Sequence, residues 1–266
     1  MLLDNFLSVG KSHQICEDYT IIGDSPAPYM IVSDGCSSSK NTDVGARLLS
    51  YSAAKQFKKA YSLLETDPRS ISILGKTAIF LANDQADALA LNNSCLDCTL
   101  LFLYATQRMV YVNVWGDGYV IVKTKAGNVI IQEITYSENA PFYLNYILDD
   151  RKIEWENKFA NNPRIVTEYY SDNDSNQYST FMTTPVETRL EIDTLDCMMI
   201  ASDGLGSFIK QETGEKIPIR EIVDQILDIK VRNGEYLKRR MRKMLEKNAA
   251  NGIYNYDDIS ISSIIF

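Results

Sequence analysis

Two stretches of the sequence, MIVSDG at residues 30–35 and MIASDG at residues 199–204, share one pattern: an apolar run followed by Asp-Gly. The run is typical of a buried strand, which would hold the carboxylate of Asp34 or Asp203 at a fixed position, and the glycine lets the backbone turn and approach closely. Asp-Gly is also a common turn dipeptide, so one copy alone would predict only a turn. Because the pattern of apolar run and Asp-Gly occurs twice, it supports a metal-binding role as strongly as a simple turn.

Other acidic residues stand at the edges of apolar runs. Asp117-Gly118 separates the runs 110–115 and 119–122 and, taken alone, predicts a hairpin turn. Glu17-Asp18 and Asp257-Asp258 each precede a β-rich run, where a capping or edge-charge role is the simpler explanation. Carboxylates that converged from these places would repel one another unless a cation lay between them. Oxygen ligands of this kind favour Mg²⁺ or Mn²⁺ over zinc.

The periodicity of apolar residues predicts a chain of mixed helices and strands. Helical spacing covers 43–64, 71–91, 221–229 and 235–247, with Asp43 as a candidate N-terminal cap. Residues 141–159 are predicted to be partly helical, and the polar segment 171–178 to be a surface loop. Strands are predicted at 19–22, 29–32, 99–104, 110–115, 119–122, 129–134, 165–170, 180–186, 198–201 and 259–266.

The order of these elements restricts the architecture. Strands and helices come in groups and do not alternate regularly, which disfavours a doubly wound parallel sheet. Mostly antiparallel sheets covered by grouped helices agree better with this order. No Pro/Gly-rich linker divides the chain, so we expect a single domain over residues 1–266.

Composition excludes several classes of function. The 35 acidic and 27 basic residues give a formal charge of −8, which weighs against binding to nucleic acid or to an anionic membrane. The single histidine, His13, weighs against a Ser-His-Asp triad and excludes a zinc protease, which needs at least two. Five cysteines at irregular spacing disfavour a disulfide framework. The N-terminus lacks the pattern of a signal peptide, and we expect a cytoplasmic protein.

In combination, the acidic motifs resemble the metal-dependent protein phosphatases (PPM, the type 2C serine/threonine phosphatases). The resemblance extends from about residue 7 to residue 266, and the stretches DVGARLL (43–49) and SHQICEDY (12–19) look most like the compact bacterial branch. Each motif is short, but together they occur in the order and spacing of that family. They are Glu17-Asp18, Ser33-Asp34-Gly35, Asp43-Val44-Gly45-Ala46-Arg47, Gly116-Asp117-Gly118, Ala201-Ser202-Asp203-Gly204 and Asp257-Asp258-Ile259-Ser260.

The resemblance implies an α+β fold, a four-layer α-β-β-α sandwich in which two mostly antiparallel sheets are flanked by helix pairs. It also implies an Mg²⁺/Mn²⁺-dependent serine/threonine phosphoprotein phosphatase, which hydrolyses phosphomonoesters with a water that bridges two metal ions, without a phosphoenzyme. The implied partners are a phosphorylated protein substrate and a serine/threonine kinase that opposes the phosphatase. Nucleic acid and membrane are not expected as partners.

By the same resemblance, the motifs assign candidate catalytic and metal-binding residues. Asp34 would bridge both metals, and the carbonyl of Gly35 would bind one of them. Asp203 and Asp257 would ligate the other metal. Asp18 would hold metal-bound waters and completes the catalytic set.

Three further acidic positions have weaker counterparts in the family. Glu17 would bind a metal directly or through water, and Asp117 matches the residue that helps to hold a third metal in many members. Asp258 follows the last ligand and would support it.

The sequence also departs from the family pattern near the expected phosphate site. Cys36 stands where many eukaryotic members have a histidine proposed as general acid. The arginine that commonly grips the phosphate is missing upstream of the first acidic pair, so Lys11 and His13 are the candidates for substrate binding. Residues 141–170 do not align readily with the flap region that influences substrate choice.

Two alternatives to a metal-dependent phosphatase remain open. One is a catalytically weak or inactive member of the same fold that binds phosphoproteins or regulates them. The other is a phosphatase with an aspartyl-phosphate intermediate, which would need an Asp two residues after its nucleophile. Asp34 is followed by Gly35 and Cys36, so the sequence disfavours that chemistry.

Overall fold

A computed structural model of the protein describes residues 1–66, 71–159, 164–171, 174–180 and 184–266. In chain order its strands are β1 (Leu2–Ser8), β2 (Tyr19–Gly23), β3 (Tyr29–Ser33), β4 (Leu100–Ala105), β5 (Met109–Trp115), β6 (Gly118–Thr124), β7 (Val129–Tyr136), β8 (Arg164–Tyr169), β9 (Ser175–Thr180), β10 (Val186–Glu191), β11 (Leu195–Ala201), β12 (Phe208–Lys210), β13 (Glu215–Lys216), β14 (Ile253–Asn255) and β15 (Ile259–Ile265). The α-helices are α1 (Thr42–Thr66), α2 (Ile71–Ala88), α3 (Arg151–Phe159), α4 (Ile219–Leu227) and α5 (Tyr236–Ala250).

The strands form two large sheets and one small one. The larger sheet has the order β1-β15-β11-β6-β7-β8-β9, and the second has the order β10-β5-β4-β3-β2. All neighbours in both sheets are antiparallel, as the grouping of elements predicted. The small sheet, β13-β12-β14, was not predicted.

Alternation of side chains along the strands builds three apolar layers. In β3, Met30 and Val32 pack between the two large sheets, whereas Ile31 packs toward α1 and α2. In β11, Ile200 joins the layer between the sheets and Met199 packs against α4 and α5. Both strands are therefore buried on two faces, which explains their continuous apolar sequence. The arrangement confirms the predicted four-layer α-β-β-α sandwich.

The helices lie close to their predicted ranges. A central aromatic side chain of α1, Phe57, is fully buried against rings of the five-stranded sheet. Asp43 does not cap α1 but lies in its first turn, because the helix already begins at Thr42. The segment 141–159 is partly helical, as predicted, with a 3₁₀ turn at Leu144–Leu148 before α3. Within the described ranges, every helix falls short of the length and apolar character that a membrane span requires.

Three features of the strands differ from the prediction. Strand β1 was not predicted, and it pairs along its full length with β15. The predicted loop 171–178 contains the beginning of β9, a polar edge strand whose pairing with β8 outweighs its low β-propensity. The predicted strand 180–186 is wrong at both ends, because Thr180 ends β9 and Val186 begins β10; its residues 181–183 lie outside the described residues.

The predicted hairpin at Asp117-Gly118 is also wrong. Strand β5 belongs to the five-stranded sheet and β6 to the seven-stranded sheet, so the chain crosses between the sheets at this point. Gly118 has φ of 132°, and a Cβ on it would lie 2.7 Å from the carbonyl oxygen of Ala201. Only glycine allows this close crossover, which brings Asp117 to the edge of both sheets.

Candidate active site

The ends of β3 and β11 face each other and open into a cavity of about 260 Å³. The cavity is lined by residues from both sheets, from the N-terminal loop and from the segment after β7. Among its lining residues are six of the positions singled out from the sequence: His13, Asp34, Gly35, Asp117, Asp203 and Asp257. Contacts in the folded chain therefore bring together groups that are more than 200 residues apart in sequence.

Asp34 is positioned by its backbone. Its N–H donates to Oγ1 of Thr99 at 3.0 Å, and its carbonyl oxygen accepts from the N–H of Thr99 at 2.8 Å. Ser33, the last residue of β3, donates its hydroxyl to the carbonyl oxygen of Thr99 at 2.7 Å. These bonds extend the pairing of β3 with the chain before β4 and fix the direction in which the carboxylate leaves the strand.

Asp203 follows β11 in the same way, next to the start of β15. The N–H of Ser202 donates to the carbonyl oxygen of Ser260 at 3.0 Å, and the hydroxyl of Ser202 donates to Oδ2 of Asp18 at 2.6 Å. Gly204 passes so close to the last strand that a Cβ on it would lie 1.7 Å from the carbonyl oxygen of Asp258. The glycine of this Asp-Gly pair is therefore required by close backbone approach, as the sequence pattern predicted.

The carboxylates of the site lie in an unfavourable electrostatic environment. Burial raises the pKa of Asp18, which is 1% exposed, to about 7. Burial, together with the charges of Asp18 and Asp203, raises the pKa of Asp34 well above its usual range. Burial and the charge of Asp203 do the same for the pKa of Asp117. The site therefore disfavours full ionisation of its carboxylates unless cations occupy it.

The buried Asp258 ties the N-terminal loop to the last strand. Its Oδ1 accepts from the N–H of Gly10 at 2.7 Å, and its Oδ2 accepts from the N–H of Glu17 at 2.7 Å. Oδ2 also lies 3.1 Å from Nδ1 of His13, whose Nε2 lies 3.5 Å from Oδ1 of Asp257. Burial alone would lower the pKa of His13, but the hydrogen bond and charge of Asp258 raise it overall. Asp258 thus places a cation-forming group at the cavity.

Three of the predicted site residues do not line the cavity. The carboxylate of Glu17 accepts from Oγ1 of Thr42 at 2.9 Å, at the start of α1. Asp18 lies behind Ser202 and is buried. The ammonium of Lys11 donates to Oε1 of Gln211 at 2.7 Å and lies 3.7 Å from the centre of the Tyr254 ring. Of the two candidate phosphate contacts, the structure therefore brings only His13 to the cavity.

The donor set agrees chemically with hard divalent cations. Within the described residues, no three His, Cys, Asp or Glu side chains already meet as a cluster that could hold a metal ion. The cavity nevertheless presents the carboxylates of Asp34, Asp117, Asp203 and Asp257 to a common space. Oδ1 of the buried Asp18 has no hydrogen-bond partner in the described part of the chain. Oxygen donors with uncompensated negative charge are the ligands that Mg²⁺ and Mn²⁺ prefer.

Neutral hydrogen-bonding groups make up another wall of the cavity. Of these groups the sequence singled out only Cys36, as a departure from the family pattern, and the serines that follow Cys36 were a signal for two others. Among the residues that the structure describes, no lysine or arginine lines the cavity. The neutral groups belong to Cys36, Ser37, Ser38, Thr99, Asn139 and Tyr143.

Tyr143 is the largest of these neutral groups. Its side chain is 8% exposed, and burial, together with the charges of Asp117, Cys36 and Asp34, raises the pKa of its phenol well above the usual range. The phenol therefore remains a hydrogen-bond donor at neutral pH. No sequence signal indicated that Tyr143 lines the cavity as a donor, because the segment 141–170 matches none of the family motifs.

Comparison with known proteins gives the family. A sequence model described as protein phosphatase 2C matches residues 8–246. Among curated protein sequences, no significant relative is found.

Solved structures share the fold over nearly the full chain. The serine/threonine phosphatase Stp1 from Staphylococcus aureus is 13% identical, with a TM-score of 0.55 over 99% of this chain and 94% of that one. The phosphatase PstP/Ppp from Mycobacterium tuberculosis is 15% identical, with a TM-score of 0.55 over 98% and 97%. The catalytic domain of PstP in complex with two manganese ions is 12% identical, with a TM-score of 0.55 over 98% and 96%. The family match, which covers most of the sequence, shows that this chain belongs to the protein phosphatase 2C family.

Proposed function

We propose that this chain is a serine/threonine phosphoprotein phosphatase that depends on Mg²⁺ or Mn²⁺, with residues 1–266 as one catalytic domain. The observation that carries the proposal is the cavity in which the carboxylates from the ends of both sheets converge, with no lysine or arginine among the described residues that line it. An acidic cavity of this kind repels a phosphoryl group unless cations occupy it. Membership in the protein phosphatase 2C family supports the same reaction.

The residues present assign a set of ligands. Asp34, the carbonyl of Gly35, Asp203 and Asp257 would hold two metal ions, and Asp117 would contribute to a weaker third. When bound, such ions lower the pKa of a coordinated water and neutralise the charge of the phosphoryl oxygens. Hydrolysis would follow by direct attack of that water on phosphorus.

The remaining residues of the site orient these groups and bind the substrate. Ser202 holds the carboxylate of Asp18 behind the metal site, where Asp18 would bind metal-coordinated waters. Glu17 would bind a metal through water, since its carboxylate is held by Thr42. His13, positioned by Asp258, is the one cation-forming side chain among the described residues that line the cavity, and we assign it to the phosphoryl oxygens. Lys11 does not line the cavity, so we assign it to contact with a protein substrate outside the cavity.

Hydrolysis of p-nitrophenyl phosphate and of phosphoserine peptides, with and without Mn²⁺, tests the proposal. Asp34→Asn should lower kcat by two orders of magnitude or more, as removal of a charged group at a reaction centre commonly does. Asp84→Asn is the control, because Asp84 is an exposed acid on α2 and its loss changes the net charge equally. Full activity of Asp34→Asn, or activity that survives removal of all divalent metal, would contradict the assignment.

A regulatory member of the fold is the second candidate function. The observation in its favour is that the described residues lining the cavity include no lysine or arginine, which leaves His13 and neutral groups to bind the phosphate. Titration calorimetry separates the two functions, because the enzyme must bind Mn²⁺ and a module without catalysis need not. In either case we propose that the chain binds a phosphorylated protein and that a serine/threonine kinase opposes its action. The proposed location is the cytoplasm.

A further inference from the structure

A second concave surface, which we call the α1 groove, is lined by residues of α1, of strands β2 and β3 and of α2. Its volume is about 520 Å³, which is larger than that of the acidic cavity. Apolar groups of Ile21, Tyr29, Tyr51 and Ala54 form its floor, and most of its lining area is apolar. Strand β2 is at the edge of the five-stranded sheet, so nothing in the described sheet order continues past it.

The charged residues that line the α1 groove, as far as the structure describes them, are all lysines, although the chain as a whole is acidic. Lys55, Lys58 and Lys59 are exposed on its rim, and no aspartate or glutamate is found among the described residues that line it. Among the ion pairs of the described residues, none includes these lysines, whereas several other cations do form pairs. Three positive charges on an apolar floor, without an internal counter-charge, complement an anionic ligand that also has apolar groups.

A cationic and aromatic stripe connects the α1 groove with the active-site end of the helix. Arg47, Tyr51, Lys55 and Lys59 follow one another at intervals of four residues and so lie on one face of α1. The guanidinium of Arg47 lies 4.9 Å from the ring centre of Tyr19. The Tyr19 hydroxyl is 3.1 Å from that of Tyr51. The stripe thus offers a path of positive charge and aromatic surface.

The distance from the α1 groove to Asp34 follows from the two elements that join them. Tyr29 and Asp34 are five residues apart along β3 and its end, which corresponds to about 17 Å at the rise of a strand. Lys55 is thirteen residues from Thr42, where α1 begins beside Gly35, which corresponds to about 20 Å at the rise of a helix. An extended peptide covers this span with about five to eight residues.

We propose that the α1 groove docks an acidic segment of the phosphoprotein substrate, about five to eight residues away in sequence from the phosphorylated residue. The inference rests on the proposed phosphatase function and adds a determinant of substrate choice outside the acidic cavity. The carboxylates of the segment pair with Lys55, Lys58 and Lys59, while an apolar side chain of the segment packs on the floor. A substrate that binds both the α1 groove and the acidic cavity loses its entropy of association only once. This raises kcat/KM without any change in the reacting groups.

Phosphoserine peptides that differ only in the position of an acidic segment test this inference. One peptide carries four glutamates six residues from phosphoserine, and a second carries glutamines at the same positions. A third carries the glutamates directly beside phosphoserine. Each peptide is made in two versions, with the segment on the N-terminal or on the C-terminal side of phosphoserine. The variant Lys55→Gln/Lys58→Gln/Lys59→Gln removes the rim charges. Arg242→Gln/Lys243→Gln/Lys247→Gln on α5 is the matched control, since it removes three exposed cations from the helix layer on the other side of the molecule.

For the native chain we expect kcat/KM about tenfold higher for the distant-glutamate peptide than for the glutamine peptide, because several weak exposed ion pairs act together. The rim variant should lose this preference, and the α5 control should keep it. All three proteins should hydrolyse p-nitrophenyl phosphate equally, because none of the altered residues lines the acidic cavity. At about 1 M salt, where charges are screened within roughly 3 Å, the preference should disappear.

Binding of an unphosphorylated, fluorescently labelled acidic peptide, followed by anisotropy, makes the test independent of catalysis. If the chain fails to hydrolyse any phosphate but binds this peptide through the rim lysines, the groove is retained and the phosphatase function is rejected. The inference is overturned if the native chain does not distinguish the glutamate and glutamine peptides, or if the α5 control loses as much preference as the rim variant. It is also overturned if the rim charges instead govern self-association in light scattering, which would assign the groove to a second copy of the chain.

Discussion

Asp258→Asn is expected to destabilise the protein, whereas the same substitution at the neighbouring Asp257 is expected to leave its stability almost unchanged. The carboxylate of Asp258 is 2% exposed and accepts the N–H groups of Gly10 and Glu17, each at 2.7 Å. An amide replaces one of the accepting oxygens with a donor, so one buried N–H loses its partner and the other loses a charged acceptor. Such changes cost about 2–4 kcal/mol together. For a chain of this size the melting temperature should fall by about 5–10 °C.

The assay is thermal unfolding of the metal-free protein, followed by circular dichroism, with Asp257→Asn as the control. The side chain of Asp257 is 45% exposed, and burial and the charge of Asp203 raise its pKa. At neutral pH a raised pKa means that the ionised carboxylate opposes folding, so the neutral amide should leave stability within about 0.5 kcal/mol or increase it slightly.

Two results would refute this reasoning about Asp258. The first is an Asp258→Asn variant that melts within about 1 °C of the native chain, since a shift that small is less than one lost hydrogen bond would produce. The second is an Asp257→Asn variant that is equally unstable, because the effect would then come from charge at this turn and not from the buried hydrogen bonds.

Other substitutions test the core, the cavity wall and a surface ion pair. Phe57→Ala should lower the free energy of unfolding by about 3–5 kcal/mol in denaturant titrations, because Phe57 is fully buried among aromatic rings. Tyr143→Phe should reduce kcat/KM for p-nitrophenyl phosphate about tenfold by removing one donor to the phosphoryl group, whereas Tyr146→Phe, which lies in the same segment outside the cavity, should not. The hydrogen bond from Arg232 lowers the pKa of Asp196, so this pair stabilises the fold above the ordinary aspartate pKa and loses its effect as the pH falls through the lowered value. Asp196→Asn should therefore cost about 0.5–1 kcal/mol at pH 7, and the difference from the native chain should shrink in unfolding titrations below about pH 4.

Much of the fold followed from local sequence patterns. The continuous apolar runs before Asp34 and Asp203 predicted buried strands, and in the structure both strands are buried on two faces. The helical spacing of 43–64 predicted α1 to within two residues at each end. Patterns of this kind succeed because burial on a given face depends on periodicity, which the sequence displays directly.

Elements whose stability depends on distant partners could not be predicted in the same way. The polar strand β9 exists because β8 pairs with it, and β1 because β15 does. Asp117-Gly118 has the local chemistry of a hairpin, yet its flanking strands pair in different sheets. Local propensity is weak compared with the cross-strand pairs and packing that decide such cases.

The sequence by itself determined which chemistry is available: strand-end carboxylates, one histidine and glycines that permit close backbone approach. Only the tertiary structure decided which of these groups meet. It brings His13 to the acidic cavity and turns Lys11 away, and it adds Tyr143 from a segment without a motif. It also exposes three lysines of α1 around an apolar floor. The physical reason is that a site is a set of distances across strands and sheets, whereas a sequence pattern reports only the local surroundings of each residue.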